Sequence, residues 1–465
     1  MKRRALLAAM PLLAAMPMRV LASAPEIWDR QYDVVVLGSG GAGLAAALSA
    51  AARGLTVAVF EKNARIGGDT LNSSGFFNAA GLSGTKDKPI DHAREMIELG
   101  EGLNDPELVR IFTENCPGTF KWLQSLGMQF EDKPYKIYGT KEFRSYRPNR
   151  PRGTGYIHAL GEASLKAGVS IELGCTAVDI YHVPETRQVL GVLIEKDGRS
   201  FSVRARRGIV LATGGFGANA EMLRRYAPEL SALQHDSTPG ATGDGHRLAE
   251  RAGADLVNMQ FVEIVPGGPV SIPYVIRLDI YPDRMVMVNA RGERFVDERS
   301  DRKTLGEAIL AQPGGIAYTI TDNETVSSSD ILDQKYLHQA RHAGVVVRAR
   351  NWAELAEKLS VPRHALERTL ARACAGRTGQ TSEGPCRRIV RRAPFWAQKI
   401  ELHIHVTLGG VRINSKAQVL DKNGVPISGL YAAGEIVGNL HGAVRLGGNG
   451  VSSAVVFGRI AGENI

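Results

Sequence analysis

The apolar positions of this chain follow two rhythms. Tyr32 to Leu37 is a short, β-branched run that stops at a glycine, the pattern of a strand buried on both faces. The alanine-rich stretch Gly43 to Arg53 reads as a helix and Thr56 to Phe60 as a second buried strand, so this region opens with a βαβ unit. Strand-like runs return at Val169 to Leu173, Val189 to Glu195 and Ile209 to Ala212, the last ending in Thr213-Gly214-Gly215. From about Gln260 to His405 turns and amphipathic stretches dominate, and Trp352 to Leu359 and Arg363 to Ala375 carry helical spacing. After Thr407 the glycine-rich α/β character resumes with Gly429-Leu430-Tyr431-Ala432-Ala433-Gly434. The pattern predicts an α/β domain, discontinuous in sequence, that carries an inserted second domain; no internal repeat is visible.

The first residues have a different logic. Lys2, Arg3 and Arg4 precede a short apolar run, Ala5 to Ala15, and small residues follow at Ala22, Ser23 and Ala24. This is the layout of an export signal over residues 1–24, too short to span a bilayer. Arg3-Arg4 resembles a twin-arginine signal, the route for proteins folded around a cofactor. Pro25 disfavours cleavage directly after Ala24; cleavage after Ala22 and retention as an uncleaved anchor both fit. A periplasmic location is expected, without stable membrane insertion.

Composition changes the picture in three ways. The 465 residues, 44% hydrophobic, suffice for two or three domains. The 52 glycines cluster at Gly38 to Gly43, Gly67-Gly68, Gly214-Gly215, Gly409-Gly410 and Gly447-Gly448, where backbone can approach a ligand closely. A formal net charge of +9 suits anionic substrates or acidic partners, and with no nucleic-acid motif beside it nucleic acid is not an expected partner. The arginines at 387, 388, 391 and 392 read as a solvated face. Cys116, Cys175, Cys374 and Cys386 form neither CxxC nor CxxCH, which argues against zinc ribbons, thioredoxin chemistry and covalent haem, and no metal site is expected. Cys374 and Cys386 are compatible with a disulfide or with two free thiols.

Gly38-Ser39-Gly40-Gly41-Ala42-Gly43 is a G-x-G-x-x-G between a strand and a helix. Gly38 makes the tight turn, Gly40 lets a pyrophosphate approach, and Gly43 lets helix pack on strand, with the helix N-terminus toward the phosphates. Glu61 ends the second strand, where an acid accepts from ribose hydroxyls. The motif and its setting predict dinucleotide binding.

Further along, Glu61-Lys62, Gly67-Gly68-Asp69-Thr70 and Ser73-Ser74-Gly75 resemble the flavin-cradling segment of the fumarate reductase/succinate dehydrogenase flavoprotein family. The resemblance continues in order through Leu211 to Phe216, Gly240 to Gly245, Gly292 to Glu298, Thr407 to Gly410, Gly429 to Glu435 and His441 to Asn449, over nearly all of the chain beyond the signal. It is nearest to soluble flavocytochrome c fumarate reductases without their haem domain. It implies a discontinuous Rossmann-like FAD-binding domain (30–259 and 407–465) with an inserted α+β capping domain (260–406). It adds Thr213, Gly214, Asp244 and Glu435 to the cofactor site. Covalent-flavin members carry histidine where this chain has Asp69, so non-covalent FAD is implied.

Reduction of an activated C=C bond needs a hydride, a proton and cations that hold the carboxylate. Guanidinium groups suit the last task. By the resemblance Arg445 binds the substrate carboxylate beside the cofactor and Arg302 delivers the proton. His405 binds substrate, and His403, two residues earlier, would share its strand face. The implied activity is reduction of an α,β-unsaturated carboxylate with electrons from an external cytochrome or flavoprotein. A dehydrogenase or oxidase acting on a saturated acid or ketone, and a non-catalytic flavin electron carrier, remain open. Three departures count against fumarate: Val265 replaces a second substrate histidine, Arg277-Leu278-Asp279-Ile280-Tyr281 lacks the Glu/Arg spacing that feeds the proton donor, and Phe76 replaces a glycine after Gly75. Arg277, Asp279 and Tyr281 are candidates for a substitute relay, and the loss of the histidine predicts a more apolar pocket end.

Overall fold

The computed structural model describes residues 24–82, 85–183, 185–268, 278, 282–327, 334–375, 380–381, 384–385 and 389–465. The expected export signal (all but Ala24), the expected relay residues Arg277, Asp279 and Tyr281, Arg387, Arg388, and the side chains of Cys374 and Cys386 lie outside them. Cys116 and Cys175 are free and buried. No helix among the described residues is long and apolar enough to cross a membrane.

Two sheets organise the molecule. The strands of the first are β1 (Arg30–Leu37), β2 (Val57–Glu61), β3 (Ser170–Leu173), β4 (Thr176–His182), β5 (Val189–Lys196), β6 (Arg199–Leu211), β13 (Gln418–Leu420) and β14 (Pro426–Ala432). Its spatial order is β13-β14-β6-β1-β2-β3, with β5 joining β6 to β4. The centre is parallel: β1 pairs with β2 and β6, β2 with β3, and β14 with β6. Val34, Val35, Val36 and Leu37 are at most 1% exposed, which is why no polar residue interrupts the run.

Helix α1 (Gly41–Ala51) covers this sheet, and α7 (Asn449–Asn464) packs along it. Alanine and glycine face one another here: a Cβ on Gly458 would stand 2.4 Å from the Ala42 carbonyl oxygen, and one on Gly462 2.3 Å from that of Ala46. The shorter helices α2 (Gly68–Asn72) and α3 (Asp244–Arg251) border the same layer.

The second sheet comprises β7 (Gln234–His235), β8 (Val262–Gly267), β9 (Val286–Asn289), β10 (Ala317–Asp322), β11 (Val346–Ala349) and the 13-residue β12 (Phe395–Thr407). Its path is β8-β12-β10-β9, antiparallel throughout, with β7 and β11 also paired to β12. Helices α4 (Arg302–Leu310), α5 (Trp352–Leu359) and α6 (Arg363–Ala375) accompany it. Leu355, Leu359, Leu366 and Leu370 bury the apolar stripes of α5 and α6 against Val286, Val288 and Ile320. The turns and helices expected for this region are present, but a sheet centred on β12 dominates it. Lys399 and Glu401 are exposed while Ile400 between them is buried, an alternation of period two.

Candidate active site

The carboxyl ends of β1, β2, β6 and β14 meet at one cavity, where Leu37, Glu61, Ala212 and Ala433 stand side by side on the wall. Parallel sheets present ligand crevices at these ends. Gly38 adopts φ +100°, and a Cβ there would lie 2.4 Å from the Ala212 carbonyl oxygen. A Cβ on Gly43 would lie 2.0 Å from the Gly38 carbonyl oxygen, so this glycine sits behind the wall and fixes α1 on the turn. Gly40 has the opposite role. It lines the cavity, and a Cβ on it would meet nothing closer than 3.8 Å, so a side chain there would occupy ligand space.

Gly68 and Gly214 repeat this arrangement: both line the cavity, and a Cβ on Gly214 would meet nothing within 4 Å. Glu61 accepts from Ser39 N and Oγ through Oε2 (2.9 and 2.6 Å) and from Asn63 N and Nδ2 through Oε1 (2.8 and 2.7 Å), which fixes its carboxylate at the end of β2. Lys62 donates to Asp244 (2.5 Å) and Thr242 (2.6 Å); burial would raise the Asp244 carboxyl, but Lys62, Thr242 and Arg247 together lower it. Thr70 Oγ1 accepts from Gly41 N at 3.0 Å. Thr213 Oγ1 is buried with no hydrogen-bond partner among the described residues, although Thr213 lines the cavity. Ser74 and Gly75 complete the far wall. Open glycine backbone, a helix N-terminus, a strand-end acid and an unpartnered hydroxyl together fit a dinucleotide such as FAD.

The same cavity extends to Asp69, Glu435, His405, Arg302 and Arg445. Asp69 Oδ1 accepts from Thr238 N at 2.5 Å, and Glu435 Oε1 accepts from Thr407 N (2.9 Å) and Oγ1 (3.1 Å). Burial raises the Asp69 carboxyl, with Asp236 adding to the effect. Burial, then the neighbouring Asp69 charge, push the Glu435 carboxyl up to about 8. In the FAD-free protein Glu435 therefore keeps its proton between about pH 4.5 and 8, where the unfolded chain has lost it. Its contribution to stability is complete below about 4.5 and falls as pH rises to 8. Glu435→Gln removes that slope: denaturant unfolding of the apoprotein should find the variant equal to wild type near pH 4.5 and about a few kcal/mol more stable at pH 8. Equal pH slopes for the two proteins would refute this.

His405 owes its orientation to a β-bulge. In the β8–β12 ladder Glu263 opposes Val406 and Ile264 opposes Ile404, so His405 is the extra residue. Its Nδ1 lies 2.8 and 2.9 Å from the two Asp236 oxygens, leaving Nε2 to reach a ligand. The bulge overturns the expected common face: His403 is buried opposite Val265, and neither lines the cavity. Val265 is therefore not part of the described cavity wall.

Arg302 stands in the first turn of α4, whose N-cap Asp301 accepts from Thr304 N at 3.0 Å. Arg445 precedes the glycine turn into α7. Between the two guanidinium groups lies a residue that the sequence reading passed over. Glu263 Oε1 accepts from Arg302 Nη1 at 2.5 Å and from Arg445 Nη2 at 2.6 Å. Burial alone would raise this carboxyl, but the two arginines and His405 outweigh it and hold it at about 2. The signal available was one charge in the apolar run Phe261 to Pro266. Asp236, the partner of His405, gave no comparable signal. His441 lay within a quoted motif; it lines the cavity, and burial and Arg445 lower it to about 3, so its imidazole is neutral.

A family model described as FAD binding domain matches residues 33–451. The chain belongs to this family. FAD is therefore the dinucleotide of the crevice, in agreement with its glycine walls. The chain is 36% identical over 449 residues to an NADH:fumarate oxidoreductase of Klebsiella pneumoniae, covering 93% of this chain and 47% of that protein. It is 31% identical over 508 residues to an NADH:acrylate oxidoreductase of Vibrio harveyi, covering 94% and 50%. The chain thus spans about half the length of these curated relatives. Among solved structures, the open conformation of a flavocytochrome c3 fumarate reductase superposes with TM-score 0.76 at 31% identity, over 94% of this chain and 78% of that one.

Proposed function

We propose that this flavoprotein reduces the C=C bond of an α,β-unsaturated carboxylate other than fumarate. The observation that carries the reading is the convergence of Arg302, Arg445 and His405 on the wall of the FAD crevice itself. FAD, when bound, supplies hydride transfer. The protein's own groups supply the rest. Arg445 and His405 Nε2 hold the carboxylate, which draws electron density from the double bond. Arg302 gives a proton to the carbon beside the carboxylate as the hydride reaches the other carbon, so two electrons and two protons saturate the bond. Asp236 fixes the His405 ring through Nδ1. Asp69 forms no histidine-type linkage, so the FAD is held without a covalent bond. The part of the second sheet and its helices over residues 260–406 acts as a cap that excludes water from the reaction.

The electrons come from an external cytochrome or flavoprotein, and the amino-terminal pattern of residues 1–24 places the mature protein in the periplasm. Relatives named for fumarate and for acrylate support the reaction class. Anaerobic turnover with a reduced viologen dye tests it, against fumarate, methacrylate, crotonate, cinnamate and urocanate. Rapid dye oxidation with one enoate and little with fumarate is expected. FAD-loaded protein that oxidises no dye with any of them would sink the proposal.

A further inference from the structure

We propose that Tyr138 is a positioning residue for Arg302: from behind the cavity wall its ring holds the guanidinium in place, and the turn that carries it sets the spacing between Arg302 and Arg445. The inference rests on the reading of Arg302 as the proton donor.

Tyr138 is buried and is not part of the cavity wall, so its effect on the reaction must pass through another group. Arg302 Cζ lies over its ring, 5.5 Å from the centroid, within the range of a cation–π contact. The two residues are brought together from far apart in the sequence, and both are shielded from water. An arginine side chain has many rotamers, and a proton donor must be held near one of them. The hydrogen bond from Arg302 Nη1 to Glu263 Oε1 fixes one nitrogen, and one bond of this kind lets a guanidinium swing about it. A contact with the ring restrains that motion. The aromatic face attracts the cation without accepting the N–H protons as a second carboxylate in its place would.

The turn around Tyr138 reaches both arginines. It is closed by Thr140 N donating to Ile137 O at 2.9 Å and Ile137 N donating to Thr140 Oγ1 at 2.8 Å. Gly139 adopts φ +76°, and a Cβ there would lie 3.5 Å from Leu446 Cδ1 and 3.6 Å from Asp301 Cβ. Leu446 follows Arg445, and Asp301 precedes Arg302 as the N-cap of α4. The Tyr138 carbonyl accepts from Gly447 N at 3.1 Å, two residues beyond Arg445. The turn is thus wedged between the chain neighbours of an arginine that accompanies the second sheet and one at the entry to α7. Its far end is anchored: Lys141 N donates to Glu95 Oε2 at 3.1 Å, and Glu95 and Asp87 together hold the fully buried Arg144. A strut fixed in this way is what a precisely placed side chain requires.

Simple packing is the competing explanation, since Tyr138 clusters with Met285, Met287 and Leu305. Tyr138→Leu keeps an apolar filler and removes the ring, while Tyr138→Phe keeps the ring. Viologen-linked turnover per bound flavin, with an enoate that wild type reduces, should show kcat of Y138L about tenfold lower with KM within about twofold, and kcat of Y138F within about twofold of wild type. A second readout does not depend on turnover. In urea unfolding of FAD-loaded protein at fixed FAD, Y138L should shift the unfolding equilibrium constant about three- to thirtyfold more when Arg302 is present than in an R302A background. Wild-type kcat in Y138L, a Y138F protein as slow as Y138L, or an additive cycle would each overturn the proposal. Should Y138L not fold, Tyr138→Met fills the same place without a ring and takes over both readouts. Absence of enoate turnover in wild type would remove the reductase reading, and the cycle would still decide whether the ring holds Arg302.

Discussion

Arg302→Ala is expected to lower enoate turnover by a factor on the order of 10²–10⁴ while the protein remains yellow. The arginine begins α4, but the helix is anchored elsewhere, by Leu305 and Ile309 in a cluster with Met285, Met287 and Ile400. Its guanidinium is hydrogen-bonded to Glu263, and it is not part of the glycine turn of Gly38 to Gly43 proposed to hold the pyrophosphate. FAD affinity should therefore change little. The replacement also leaves the buried Glu263 with Arg445 as its remaining hydrogen-bonded arginine among the described residues, so its carboxyl should rise from about 2. In wild type that depressed carboxyl contributes stability present above about pH 4.5 and lost as pH falls through 2; the variant should lose part of it, about a few kcal/mol near neutrality. Dye-linked turnover, the flavin spectrum and denaturant unfolding measure the three effects. Full turnover in the variant would remove Arg302 from the reaction, whereas an electron carrier would show no enoate turnover in either protein and would keep its electron transfer.

Gly43→Ala should have the largest structural effect. One methyl group at this position would stand 2.0 Å from the Gly38 carbonyl oxygen, a backbone atom that cannot swing aside. Helix α1 cannot retreat, because on its other side the backbone of Ala42 and Ala46 already touches Gly458 and Gly462 of α7. The clash must distort the turn that holds the dinucleotide. Loss of bound FAD and destabilisation of more than about 3 kcal/mol are expected. Gly118→Ala is the control: it lies inside the helix Pro106–Ser125, where a Cβ would meet nothing within 4 Å, and should be neutral or slightly stabilising. A yellow G43A protein with a wild-type Tm would show that the close approach is not needed.

How much of this was readable beforehand follows from the range of each interaction. The parallel sheet was legible because its strands are apolar on both faces and end at glycines; Tyr32–Leu37 and Ile209–Ala212 fall within β1 and at the end of β6. The crevice was legible for the same reason, since a strand, a turn and a helix contiguous in sequence build it. The second sheet was harder. Lys399, Glu401 and the histidines give β12 a polar look, although its alternation is that of a strand. The bulge at His405 has no local signature at all, because it depends on where β8 loses step with its neighbour. Glu263 escaped notice for a related reason. A carboxylate between two arginines is visible only when residues 263, 302 and 445 are brought together in space.

The first sheet draws its strands from two separate stretches of sequence, and this has a consequence for biosynthesis. Ala433, Glu435, Arg445 and Ala454 line the same cavity as Gly38 to Ala42, yet they are translated after the whole of the second sheet. A nascent chain that ends at residue 406 has one bank of the crevice and no opposite bank. The cofactor cannot be gripped from both sides until the residues beyond 406 are in place, so both stretches of sequence are needed before the crevice can close on it.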